Sequence, residues 1–93
     1  MIKLTGYIDV PDDRLQEIKA ALPEHIKLSR AETGNISFCV KPCPNTKGRF
    51  IVEETFTDQA AFDFHQTRTA ASRWATISKD IPRKYRRIND PTT

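Results

Sequence analysis

Glu54 and His65 carry the side chains best suited to chemistry in this chain, a carboxylate and an imidazole. An imidazole with an unperturbed pKa of about 6.5 can accept a proton near neutral pH. A carboxylate beside it can hold the ring in one tautomer and stabilise the cation that forms. We therefore predict a catalytic pair, with His65 as the base and Glu54 as its partner.

The same two residues also admit a purely structural role. Glu54 lies on the apolar face of a predicted strand, and His65 borders the buried side of a predicted helix. A hydrogen bond between the two side chains would satisfy two half-buried polar groups without any reaction. Both interpretations place the two residues in contact.

Aromatic residues are expected to form the walls of a substrate pocket around this pair, because pockets for small ligands are lined mainly by apolar and aromatic groups. The predicted substrate-binding residues are Tyr7, Phe38, Phe62 and Trp74. Ala70 and Ala71 precede Trp74, and small residues there leave space beside the large indole ring. The alternative is that Trp74 belongs to the core.

Alternating apolar and polar residues predict four strands, since successive side chains of a strand point to opposite faces. The predicted strands span residues 2–10, 36–40, 49–57 and 84–88. In the third strand this pattern places Glu54 on one face with Phe50, Val52 and Phe56.

Apolar residues at helical spacing predict a helix from Arg14, broken into two pieces at Pro23 and ended by Gly34 in a left-handed conformation. A second helix begins after Asp58, which is suited to cap it, and a further helical piece starts near Thr69.

The order of elements is therefore βαββαβ, which is typical of an α+β ferredoxin-like split fold with a four-stranded antiparallel sheet. Residues 1–88 are expected to form a single domain, followed by a flexible tail at 89–93. The sheet face away from the helices carries Tyr7 and Ile51, and we expect a homodimer to cover it.

Composition excludes several classes of function. A formal net charge of +3 is too small to indicate nucleic-acid binding. No apolar run is long enough for a membrane span or a signal peptide, so we expect a cytoplasmic protein. Cys39 and Cys43 have poor zinc spacing and are expected to be free thiols, and no metal site is predicted.

Two other features of the sequence are interpreted as surface structure without a role in the chemistry. His25 follows Glu24 in the first helix and is expected to lie on the surface. The basic block at residues 83–87 is expected to be a solvated sheet edge that discourages aggregation, with anion binding as the alternative.

The segment from Glu54 to His65, with Asp58, Ala61 and Phe62 between them and Trp74 beyond, resembles the antibiotic biosynthesis monooxygenase (ABM) family. The resemblance extends from residue 2 to about residue 88 and includes the Leu-Pro-Glu-His stretch and the Glu-x-Gly-Asn turn. It implies a dimeric α+β barrel with a pocket between sheet and helices in each subunit.

The resemblance also implies the type of reaction. Characterised members include oxygenases that need no metal or organic cofactor, and quinol monooxygenases are among them. By this resemblance the chain is a cofactor-independent monooxygenase that oxidises a small phenolic, quinol or polyketide-like aromatic with O₂. The alternative is a non-catalytic dimeric module that binds a small molecule or assists another enzyme.

Two departures from relatives bear on the chemistry. Many relatives carry a second His and a Phe where this chain has Ala70 and Ala71, which argues against a two-histidine mechanism at those positions. Haem-degrading relatives carry a Trp where His65 stands, together with an Asn on the first strand and a haem-ligating His, and this chain has none of the three.

Overall fold

Four strands form one antiparallel sheet, and three helices cover one of its faces. The computed structural model of the chain describes residues 1–89. The elements are β1 (Ile2–Asp9), α1 (Leu15–Arg30), β2 (Asn35–Pro42), β3 (Arg49–Phe56), α2 (Gln59–Ala70), α3 (Arg73–Ile77) and β4 (Arg83–Asn89). The strand order is β2-β3-β1-β4, with every neighbouring pair antiparallel. The predicted ferredoxin-like α+β fold is confirmed.

The inner face of the sheet holds the core because alternate residues of β1 and β3 point toward the helices. Ile2 pairs with Phe56, and Ile8 pairs with Phe50. These pairs belong to two separate apolar clusters, one around Ile8 and Trp74 and the other around Phe56. On β3, Glu54 falls between the two clusters, so a polar side chain occupies the middle of the buried face.

Helix α1 is continuous through Pro23, so the predicted break into two pieces is wrong. Pro23 is exposed and removes only one backbone hydrogen bond, and Lys19, whose carbonyl loses its donor, is exposed as well. A buried stripe on the opposite side holds the helix against the sheet, consisting of Ile18, Leu22, His25 and Ser29. Burial of this stripe outweighs the local cost of the proline.

Gly34 does not end α1 in a left-handed conformation, and that prediction is also wrong. The one residue with positive φ in the described chain is Gly48, at 82° in the turn before β3. Gly34 is needed for space instead, since a Cβ there would lie 2.2 Å from the Cβ of Ala61. The close approach lets the backbone N–H of Thr57 donate to the carbonyl of Gly34 at 2.9 Å.

In the C-terminal part of the chain, the helices and the last strand begin and end at residues that differ from those predicted. α2 extends to Ala70, and the following piece starts at Arg73 rather than near Thr69. Asn89, predicted to open a loose tail, pairs with Ile2 in β4, and the rest of that predicted tail lies outside the described residues. The basic block lies on an edge strand, as expected.

No helix within residues 1–89 is both long enough and apolar enough to cross a lipid bilayer. Cys39 and Cys43 are free thiols and half-buried, in agreement with the sequence prediction.

Candidate active site

His65 is buried between two carboxylates, and only 3 % of its surface is exposed. The Asp58 side chain begins α2 by accepting a hydrogen bond from the Ala61 N–H at 2.9 Å, and His65 lies on the buried side of that helix. Its Nδ1 is 3.0 and 3.1 Å from the two oxygens of Glu32. Its Nε2 is 3.3 Å from Glu54 Oε1. The predicted Glu54–His65 pair is therefore brought together.

Glu32 is not among the residues predicted from the sequence, yet it is the carboxylate that forms hydrogen bonds with the imidazole. Arg68 Nε donates to Glu32 Oε2 at 2.5 Å, and the same guanidinium donates to Ser29 Oγ at 3.0 Å. Glu32 thus fixes the ring of His65 from the end of α1, while Arg68 balances its charge. The sequence feature that could have indicated Glu32 is the Glu-x-Gly-Asn turn, of which Glu32 is the acidic residue. It is buried there, and a buried carboxylate needs a partner.

The two carboxylates decide the protonation of His65. Burial by itself lowers the pKa of an imidazole, because it disfavours the charged form. Here the close approach of Glu54 and Glu32 to the two ring nitrogens, with their negative charges, outweighs burial and raises the pKa of His65 above 6.5. His65 is therefore a stronger base than a free histidine, and its cation is well stabilised.

His25 lies inside the site, and its predicted surface position is wrong. Only 7 % of its surface is exposed. Its ring stacks on Trp74 with centroids 4.9 Å apart and planes 10° apart, and it meets the edge of Phe38 at 5.3 Å. The spacing of His25 from Ile18 and Leu22 places it on the buried stripe of α1. This helical spacing is visible in the sequence and could have predicted that His25 is buried.

His25 is held in its neutral form. Burial, followed by the positive charges of His65, Arg68 and Arg83, lowers the pKa of His25 to about 3. The two imidazoles therefore differ in chemistry although their ring centroids are 6.3 Å apart.

Two buried side-chain atoms in residues 1–89 have no hydrogen-bond partner, His25 Nδ1 and Glu54 Oε1. The 3.3 Å approach of His65 to Glu54 is an ionic contact whose angle does not form a hydrogen bond. Buried polar atoms are normally paired, so each unpaired one calls for an explanation. Both residues line the same cavity, between the sheet and the helices.

The cavity has a volume of about 220 Å³ and lies between the sheet and helices α1, α2 and α3. Its walls are Leu4, His25, Glu54, His65, Gln66, Thr69, Trp74, Arg83 and Tyr85. A narrow recess of about 20 Å³ shares four of these residues and adds Phe38. Burial and the charge of Glu54 raise the pKa of Tyr85 to about 12, which keeps its hydroxyl neutral.

Two of the predicted pocket aromatics lie elsewhere. Phe62 packs edge-on against Phe56 at 5.6 Å, in the neighbouring apolar cluster, and does not line the cavity. Tyr7 pairs with Ile51 on the outer face of the sheet, where the Arg49 guanidinium lies 3.8 Å from its ring. Tyr7 follows the cavity residue Leu4 by three positions in β1, and an odd separation turns the two side chains to opposite faces.

Ala70 and Ala71, which were expected to leave space beside Trp74, are exposed and are not cavity walls. Trp74 itself is buried, packs in the core and also lines the cavity, so both interpretations of it apply. Within residues 1–89, no three His, Cys, Asp or Glu side chains are grouped as a metal site.

Comparison with known proteins agrees with this arrangement. The model of the family "Antibiotic biosynthesis monooxygenase" matches residues 1–76. A Bacillus subtilis (strain 168) protein named "Putative monooxygenase YcnE" is 31% identical over 65 residues, which cover 70% of this chain and 68% of that protein.

Two solved structures share the fold at low sequence identity. A "putative antibiotic biosynthesis monooxygenase" from Deinococcus radiodurans superposes with a TM-score of 0.86 at 15% identity, covering 97% of this chain and 92% of that one. A mutant of SnoaB, a cofactor-independent oxygenase from Streptomyces nogalater, gives 0.79 at 11% identity, covering 99% and 94%. On the family match and the identity to the B. subtilis protein, this chain belongs to the antibiotic biosynthesis monooxygenase family.

Proposed function

We propose that this protein is a monooxygenase that oxidises a small phenolic or quinol-type aromatic with O₂, without a separate cofactor. One observation carries the proposal: Glu54 Oε1 is buried without a hydrogen-bond partner, 3.3 Å from His65 Nε2, in a cavity walled by Trp74. The names of the family and of relatives such as SnoaB support the same type of reaction.

His65 is the proposed base. With Nδ1–H donated to Glu32, the Nε2 of the neutral ring carries the lone pair that can accept a proton from a substrate hydroxyl, in place of its long 3.4 Å contact with Thr69 Oγ1. The imidazolium that forms lies between Glu32 and Glu54, whose charges stabilise it. Removing the phenolic proton gives an electron-rich phenolate, which is the form of the ring that O₂ oxidises readily.

The proposed reaction balances without an outside reductant. A quinol and O₂ together contain the atoms of a hydroxyquinone and one water molecule. The ring loses two hydrogen atoms and gains one oxygen atom, while the other oxygen atom leaves as water. The substrate supplies all the electrons that O₂ accepts, so the protein needs only to bind the ring, remove a proton and exclude bulk water.

The size of the cavity favours one ring over several. An engineered apolar cavity of about 150 Å³ holds benzene. At about 220 Å³ the cavity of this protein has room for one substituted ring. Among the candidate substrates we therefore favour small phenols and quinols over fused polyketide-like systems.

Oxygen uptake tests the proposal. Metal-free protein should consume O₂ with a panel of hydroquinones, and His65→Gln and Glu54→Gln should each lower kcat/KM by about a hundredfold, the lower end of what general-base catalysis supplies. Phe64→Ser, on the exposed side of the same helix, is the matched control and should keep full activity. Uptake no higher than background, or full uptake in His65→Gln, would contradict the proposal.

We also propose that the protein is a homodimer joined through the outer face of the sheet. That face exposes Ile51 and Ile88, at 37% and 39%, beside the half-buried ring of Tyr7. Burial of such a face against a second copy would remove this apolar surface from water.

A further inference from the structure

His25 lines the same cavity as the proposed catalytic pair, and nothing in the proton transfer proposed above uses its unpaired Nδ1. The ring is more than nine-tenths buried, and its Nδ1 has no partner among residues 1–89. A buried polar atom left unpaired costs about 1–3 kcal/mol, so an apolar residue there would be the cheaper choice for a structural wall.

The position of His25 is fixed by its neighbours. Trp74 stacks on one face of the ring and Phe38 meets it edge-on, so the ring has little freedom to turn toward another partner. The positive charges of His65, Arg68 and Arg83 disfavour a proton on this ring. A neutral imidazole donates from one nitrogen and accepts at the other, and a hydroxyl can serve either.

We propose that His25 is a substrate-binding residue, whose Nδ1 accepts a hydrogen bond from a ring hydroxyl of the bound aromatic. The stacked pair of His25 and Trp74 then forms one wall of the cavity, and Glu54 Oε1 faces a second polar group of the ligand. The inference rests on the proposed function and adds a residue that orients the ring relative to His65.

Two variants separate the hydrogen bond from the shape of the wall. His25→Phe keeps a ring that can stack on Trp74 but removes the nitrogen. His25→Asn loses the ring but keeps an amide close to the place of Nδ1. Binding is measured without O₂, by the fluorescence of Trp74, the only tryptophan of the chain. The ligands are hydroquinone and its dimethyl ether, which has the same ring without a donor.

Hydroquinone should bind His25→Phe about tenfold more weakly than the wild type, which is the usual effect of one lost hydrogen bond. His25→Asn should recover most of this loss, and the dimethyl ether should bind the wild type and His25→Phe equally. Equal affinity of hydroquinone for the wild type and His25→Phe would overturn the proposal, as would the absence of any hydroquinone binding to the wild type.

A measurement on the unaltered protein covers the case in which His25→Phe fails to fold. Nitrogen NMR of labelled histidine should show the Nδ1 resonance of His25 moving when hydroquinone is added without O₂, and an unchanged resonance would overturn the proposal. Binding through His25 without oxygen uptake would refute the proposed function alone. Oxygen uptake with an unchanged KM in His25→Phe would refute this inference alone.

Discussion

His25 and His65 lie with ring centroids 6.3 Å apart, yet the pKa of the first is lowered and that of the second is raised. The difference comes from their partners. His65 has a carboxylate at each nitrogen, whereas His25 is packed against Trp74 and Phe38. One cavity therefore contains a basic imidazole and a neutral one, an arrangement in which the two rings can have separate roles.

The pH dependence of activity should report the pKa of His65. A base must be unprotonated to act, so kcat/KM should rise with pH and reach half its maximum above pH 6.5. Glu32→Gln removes one of the charges that raise this pKa, and the rising limb should move to lower pH. Initial rates of oxygen uptake across pH 5–9 measure this shift. A limb that does not move in Glu32→Gln would exclude His65 as the group that titrates.

The free energy of unfolding should depend on pH through His25. Its pKa is about 3 when folded and about 6.5 when unfolded, so stability is full above pH 6.5 and declines as the pH falls. The decline should approach about 1.4 kcal/mol per pH unit from this group. Urea unfolding between pH 4.5 and 8 checks it, with His25→Phe as the variant that should lack this contribution.

In the same experiment, the contribution of His65 to the free energy of unfolding should change with pH in the opposite direction. Its folded pKa is raised, so its contribution is complete below pH 6.5 and is lost as the pH rises through the folded value. The wild type should therefore be most stable near pH 6.5. Identical pH slopes for the wild type and His25→Phe on the acid side would contradict the burial of His25 in its neutral form.

Gly34→Ala should destabilise the protein through a steric clash. The added Cβ would lie 2.2 Å from the Ala61 Cβ and 3.2 Å from Thr57 Oγ1, between the start of β2 and helix α2. Overpacking of this kind costs about 1–3 kcal/mol. The double variant Gly34→Ala with Ala61→Gly should recover part of the loss in a urea titration. Wild-type stability in Gly34→Ala would mean that the two elements are further apart.

Asp58→Ala should weaken helix α2, which positions His65. The carboxylate of Asp58 accepts a hydrogen bond from the Ala61 N–H at 2.9 Å, and losing such a cap costs about 1 kcal/mol. Asp58→Ser keeps an acceptor at the cap and should remain close to the wild type. Thermal unfolding of the three proteins gives the comparison, and equal stability of all three would show that the cap is dispensable.

The proposed dimer predicts a mass in solution of about twice 10.7 kDa. Ile51→Lys places a charge on the outer face of the sheet and should shift the equilibrium to monomer, because a buried unpaired charge is costly. Phe64→Lys adds the same charge on the helix side, where Phe64 is 59% exposed, and should leave the dimer intact. Sedimentation at several concentrations distinguishes the two, and a monomeric wild type would refute the dimer.

The sequence alone determined the order of elements and which residues of β3 share its buried face. Alternation along Arg49–Phe56 predicted that Glu54 shares the buried face with Phe50 and Phe56, and the cap at Asp58 predicted where α2 begins. These features are local, since side chains in a strand alternate between faces and a cap acts within one turn. The Glu54–His65 contact followed from them.

The tertiary structure alone decided which other residues complete the site. His25 and Glu32 come from α1 and its end, and no local pattern pairs them with Trp74 or His65, which follow two strands later. Tyr7 is outside the site for a local reason, because alternation along β1 turns it to the outer face of the sheet. Contacts between distant elements depend on how a helix face is rotated against a sheet, and that rotation is set by packing of the whole core.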